Sequence, residues 1–201
     1  MAPWAAVPED WSSSCHRDTP LWMTRASAQP LHLYAIGLGS NRPLSGQIPP
    51  RAIVQAAMVA LDLPPLSVLA RSEIITTRPI GPSLRRYANA AILVASPLAP
   101  LAMLDRLQAV EAQFLRRRYR RWGDRTLDLD LLMWSGGKIA SKRLTVPHAA
   151  FRQRDFVLDP LVEIVPNWRD PKSGLTVRQL ATRLKKAKVV RKPVDRSRQR
   201  H

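Results

Sequence analysis

Two carboxylates, Asp128 and Asp130, stand one residue apart in the run Leu127-Asp128-Leu129-Asp130-Leu131-Leu132. Apolar and acidic residues alternate there with period two, which predicts a strand. On a strand both acids project from one face, with Cα atoms roughly 7 Å apart. Anions so placed repel each other. A hard cation such as Mg2+, which takes carboxylate oxygens and keeps several waters, relieves that repulsion. Just upstream, Arg116, Arg117, Arg118, Arg120, Arg121 and Arg125 crowd a loop that also holds Trp122, Gly123 and Asp124. Guanidinium forks suit phosphates. A metal-binding pair beside a phosphate clamp points to phosphoryl or nucleotidyl transfer. The same residues also read as an edge strand with solvated acids and a solvated basic loop, and a bare Asp-x-Asp does not separate the two readings.

The elements that must position these groups follow from the periodicity. Residues 31–38 form an apolar run ending in Gly37-Leu38-Gly39-Ser40-Asn41, a first strand entering a glycine turn. Residues 50–63 have helical spacing (Ile53, Val54, Ala57, Met58, Leu61) and stop at Pro64-Pro65. A β-branched stretch over 66–77 predicts a second strand, and 78–86 a proline-rich loop able to act as a lid. In the third strand, 87–95, Tyr87 and Asn89 share a face, an aromatic ring beside an amide suited to a flat heterocycle. A second helix over 97–115 has Leu101, Leu104, Leu107 and Val110 as its buried stripe, with Gln108 and Glu111 together on a neighbouring one. After the acidic strand come a short strand pair over 138–144 and a last helix over 177–184. The expected fold class is α+β: a ferredoxin-like antiparallel sheet with a β-α-β-β-α-β core, helices on one side and C-terminal additions. Residues 1–30 read as an irregular extension, 31–181 as the domain, and 182–201 as a basic tail expected to be disordered.

With 201 residues, 45% of them apolar, the chain has material for one core. No apolar run approaches the ~18 residues of a membrane span. The single cysteine, Cys15, excludes an internal disulfide framework and fits a reducing, cytoplasmic location. Glu9 and Asp10 break the N-terminus early, so no secretory signal is expected. The net charge of +17 is concentrated in the arginine loop and in the nine Lys and Arg against one Asp after position 181. That is a phosphate-sized cluster plus a tail, so nucleic acid is expected only as a weak, salt-dependent tail contact. The alternative, a nucleic-acid-binding ferredoxin-like module, needs stacking aromatics on its sheet. The predicted strands offer only Tyr34, Tyr87 and Trp134.

The segment Arg121-Trp122-Gly123-x-Arg125-Thr126-Leu127-Asp128-Leu129-Asp130 closely resembles the motif of the 6-hydroxymethyl-7,8-dihydropterin pyrophosphokinase family of folate synthesis. Further segments match in order: Ile36-Gly37-x-Gly39-Ser40-Asn41, Thr77-x-Pro79-Ile80-Gly81-Pro82, Tyr87-Ala88-Asn89-Ala90-Ala91, Gln108-x-x-Glu111, and Arg143-Leu144-Thr145-Val146-Pro147-His148 with Arg154. The resemblance implies that Asp128 and Asp130 hold two Mg2+ ions bridging the phosphates of ATP. It implies a pterin pocket of Thr77, Pro79, Ile80, Tyr87, Asn89 and Phe156, closed by Trp122. Gln108, Glu111, Leu131, Thr145 and His148 then surround the nucleotide, and Arg116, Arg118, Arg125 and Arg154 clamp its phosphates. The implied reaction is attack of the pterin hydroxymethyl oxygen on the β-phosphorus of ATP, with AMP leaving. A monomer with pterin and ATP as its partners is expected. The chain departs from the family's pattern at Asp124, usually proline, at Arg85-Arg86, often acidic or neutral, and at Ala149, often aromatic.

Overall fold

The computed structural model describes residues 30–78, 85–114 and 125–190, with nothing of the side chains of Val189 and Val190. Pro79, Ile80, Arg116, Arg118, Trp122 and Asp124 therefore lie outside the described residues. The elements run β1 (His32–Ser40), α1 (Pro50–Ala60), β2 (Ser67–Arg71), β3 (Ile75–Thr77), β4 (Tyr87–Ser96), α2 (Pro100–Gln113) and β5 (Asp128–Trp134). A hairpin, β6 (Ile139–Ala140) with β7 (Thr145–Val146), then leads through a 3-10 turn (Phe151–Gln153) to α3 (Asp155–Ile164) and α4 (Val177–Val190).

α1 and α2 each begin on a proline, a position whose N–H has no helical partner to lose. α1 buries Ile53, Val54, Ala57 and Met58. α2 buries Met103, Leu107 and Val110, while Leu101 is 43% exposed, so its apolar stripe is rotated from the expected one. The main sheet is antiparallel in the order β2-β4-β1-β5, and β3 also pairs with β4. β3 continues the line of β2 along β4, so the single strand expected over 66–77 is two. The break is at Ser72. Its N–H donates to the Ala91 carbonyl and its Oγ accepts the Ala91 N–H, each at 2.9 Å, so a hydroxyl replaces one rung of the ladder.

The two helices of the expected core lie on one side of the sheet, and the C-terminal additions cover the other. α1 and α2 close one face over Tyr34, Ile36, Leu38, Leu129 and Leu131. The C-terminal additions close the other: Leu158 and Leu161 of α3 with Leu180 and Ala181 of α4, against Ala35, Ala91, Leu132 and Met133. A bulge between Ala35 and Ile36 lets consecutive Leu132 and Met133 join the same cluster. α4 runs to Val190, beyond the expected start of the tail at 182. Its lysines reach back to α3, Lys185 to Asp159 at 2.9 Å and Lys188 to Asp155 at 2.6 Å. Among the described residues no helix is long and apolar enough to cross a membrane.

The loop into α4 is held by Asp170, which is fully buried. Arg152 grips it through Nε at 2.7 Å and a terminal nitrogen at 2.5 Å, and the N–H groups of Lys172 and Ser173 donate to it as well. Burial alone would raise its pKa, but Arg152, Ser173 and Lys172 outweigh that and hold the carboxyl well below the usual range. A depressed carboxylate contributes stability above its unfolded pKa and loses it as pH falls through the folded one. Asp170→Asn should cost about 3–5 kcal/mol in urea unfolding at neutral pH, because Arg152 is left half-buried without its charge partner. The gap between variant and wild type should shrink only as pH falls below about 4. A gap already gone at pH 5 would contradict this assignment.

Candidate active site

Strand register lays the site out in rows. Gly39 of β1 pairs with Asn89 of β4 on one side and Asp128 of β5 on the other. Two residues earlier, Gly37 pairs with Ala91 and Asp130. The alternation that sends Leu129 and Leu131 to the α1–α2 side turns Asp128 and Asp130 to the opposite face, with Asn89. The floor between amide and acids is bare backbone. A Cβ on Gly39 would stand 3.4 Å from Asn89 Oδ1 and 3.9 Å from Asp128 Cβ, while one on Gly37 would press on Leu132 at 3.2 Å. Beside Asn89, the amide nitrogen donates to Thr77 Oγ1 at 2.8 Å, and Tyr87 lies opposite Thr77 in the β3–β4 ladder.

The acids share one electrostatic field with three basic groups. Arg125 meets Asp128 at 2.5 Å. Burial, and then the charge of Asp128, push the Asp130 carboxyl up, while His148, Arg154 and Arg125 oppose that rise. His148 is set beside β5 by its own N–H, which donates to the Leu132 carbonyl at 3.0 Å. Arg154 stands just before α3 and lies over the ring of Phe156, 5.7 Å from its centroid. α3 packs on β4 and β3, which brings Phe156 to the same face as Tyr87 and Asn89.

Two buried polar side chains fix where β5 begins. Asn41 Oδ1 accepts the Arg125 N–H at 2.8 Å, while the N–H groups of Asn41 and Arg42 donate to the Arg125 carbonyl at 3.2 and 3.3 Å. The end of β1 thus clamps the Arg125 backbone from both sides. Glu111, 3% exposed, reaches from α2 to accept the Leu129 N–H at 2.7 Å, between the two acids. Asn41 was legible as an amide ending a strand, but its partner, 84 positions away in the chain, was not.

The expected nucleotide contacts divide. His148, Arg154 and Arg125 gather around the acids. Gln108 is on the exposed surface of α2, and Thr145 is exposed on β7, which packs against β5. Glu111 and Leu131 instead face the interior on the helix side, Leu131 with 4% exposure. Their side chains support the site from behind, because period two leaves Leu131 no other direction.

A family model described as 7,8-dihydro-6-hydroxymethylpterin-pyrophosphokinase (HPPK) matches residues 35–166. The chain belongs to this family. Among curated proteins it is 39% identical to a Synechocystis 2-amino-4-hydroxy-6-hydroxymethyldihydropteridine pyrophosphokinase, over 76% of each chain. It is 40% identical to the Pseudomonas aeruginosa enzyme of that name, over 68% of this chain and 82% of the relative. Among solved structures, Plasmodium falciparum HPPK-DHPS with pteroate superposes with a TM-score of 0.60 at 12% identity, covering 77% of this chain and 42% of that one. An HPPK-DHPS in complex with substrates gives 0.64 at 12% identity, over 81% and 45%. This chain spans under half the length of those two proteins, and the likeness is one of fold.

In this pyrophosphokinase-family chain, Asn41 is a positioning residue. Asn41→Ala removes the acceptor of a buried N–H and should lower stability by about 1–3 kcal/mol in urea unfolding. Asn41→Leu fills the space without an acceptor and should lose about as much. Stability close to wild type in both variants would show that the hydrogen bond to Arg125 is not what Asn41 contributes.

Proposed function

We infer that this chain transfers pyrophosphate from ATP to the hydroxymethyl group of 6-hydroxymethyl-7,8-dihydropterin, releasing AMP, in folate biosynthesis. Family membership supports the reaction. The observation that supports the site assignment is the row Asn89–Gly39–Asp128, with an amide we assign to the heterocycle and an acid we assign to the metal on opposite sides of a bare floor. We read the sheet as ferredoxin-like with its second strand broken at Ser72.

Thr77, Tyr87, Asn89 and Phe156, with Pro79, Ile80 and Trp122, are assigned to the pterin. Asn89 and Thr77 offer polar atoms for the ring edge, and Tyr87 and Phe156 offer packing faces. The triphosphate is assigned to the face over Asp128 and Asp130, clamped by Arg125 and Arg154 with Arg116 and Arg118. β5 ends the described sheet, so a nucleotide laid around that edge has its base near Gln108 and Thr145, with His148 between base and phosphates. Glu111 and Leu131 act through β5 itself.

The residues fit Mg2+. Asp128 and Asp130 supply hard oxygens from one face, and among the described residues no group of three or more His, Cys, Asp or Glu gathers there. A short acidic set completed by water and substrate phosphates is how Mg2+ is usually bound. Two ions are assigned, and when bound they would neutralise the triphosphate and polarise the phosphorus under attack. The protein's own part is alignment: the pterin groups hold the attacking hydroxyl in line, and the arginines neutralise charge on the phosphoryl oxygens. We further assign the protein to the cytoplasm, as a monomer.

Asp128→Ala or Asp130→Ala should reduce AMP formation from ATP and the pterin by roughly 10²–10³-fold or more, while the fold survives. Asp130→Asn should also leave the unfolding temperature at neutral pH unchanged or raised, because it removes a carboxylate whose burial and neighbour disfavour its charge. Near-normal turnover in any of these variants would remove the metal assignment.

A further inference from the structure

Arg125 has one guanidinium and two uses for it. It meets Asp128 Oδ2 at 2.5 Å, in a pair that is only partly exposed. The oxygen it holds belongs to one of the two acids assigned to the metal, and its charge repels an incoming cation. Its backbone, by contrast, is gripped by Asn41 and Arg42. The side chain can therefore swing while its base stays in place.

We propose that Arg125 is the resident counter-ion of Asp128 in the nucleotide-free protein, and that binding of a metal–nucleotide transfers its guanidinium from carboxylate to phosphate about a pivot held by Asn41. The proposal rests on the metal assignment above and adds a consequence to it. Free divalent cations compete with Arg125 and bind weakly. A triphosphate supplies the alternative partner that draws Arg125 away from Asp128, so metal and nucleotide each strengthen the binding of the other. By linkage the effect is reciprocal.

The test is Mn2+ binding to the full-length, nucleotide-free protein, followed by the electron paramagnetic resonance of free Mn2+. Arg125→Gln should bind Mn2+ about fivefold more tightly than wild type, the order expected for releasing one partly exposed ion pair. Arg125→Lys keeps the charge and should stay within about twofold of wild type. Adding a non-hydrolysable ATP analogue should narrow or reverse the advantage of Arg125→Gln, because the wild-type guanidinium then serves the phosphate. Thermal unfolding checks that the variants fold, and Arg125→Met serves if the glutamine variant does not. Mn2+ affinity unchanged or weakened in both neutral variants would overturn the proposal. Asp128→Asn and Asp130→Asn distinguish that failure from failure of the site itself: if neither loses Mn2+ binding, the metal assignment falls and the counter-ion proposal with it.

Discussion

Asp128 and Asp130 are held on one face of β5 against their mutual repulsion, and much of the surrounding structure is organised to keep them there. Leu127, Leu129 and Leu131 anchor the strand by burying their side chains on the helix side. Glu111 fixes the backbone between the acids, and Asn41 fixes the chain where it enters the strand. Burial and the Asp128 charge push Asp130 up, which is the electrostatic record of a carboxyl placed where charge is costly. Such local conflict is tolerated when the rest of the fold over-determines it, and it is common at functional sites.

The two layers of helices divide the work. α1 and α2 make the platform rigid: both pack on the face away from the acids, and α2 contributes Glu111 through it. The segments after β5 bring His148, Arg154 and Phe156 to the side of the sheet that carries the acids. The buried Arg152–Asp170 pair ties the turn that precedes Arg154 to the loop before α4. Positive groups on that side therefore rest on a packed scaffold.

Much of the site was legible because strand periodicity is a strict code. Once Leu127 to Leu131 alternate with acids, both carboxylates must share a face, and the same rule places Tyr87 with Asn89. What stayed hidden depended on partners distant in sequence. Ser72 breaks a strand through a hydroxyl that meets Ala91, which β-propensity does not reveal. Helical spacing put Gln108 and Glu111 on one stripe, yet one residue faces solvent and the other is sealed against Leu129. The expected element order held no helix between the strand pair and residue 177, although Asp155–Ile164 form α3 with Pro160 inside it. α4 runs past its expected end, and Lys185 and Lys188 meet acids on α3 along it. Residues 115–124 of the arginine loop, Pro79 and Ile80 lie outside the described residues, and their assigned roles rest on the family motif.

The central claim is that a triphosphate laid across the acid pair is cut between its α- and β-phosphates. Phosphorus NMR of the purified protein with Mg2+, ATP and 6-hydroxymethyl-7,8-dihydropterin tests it most directly. AMP and a pterin diphosphate should appear in equal amounts. ADP with a pterin monophosphate, or ADP with free phosphate independent of the pterin, would contradict it.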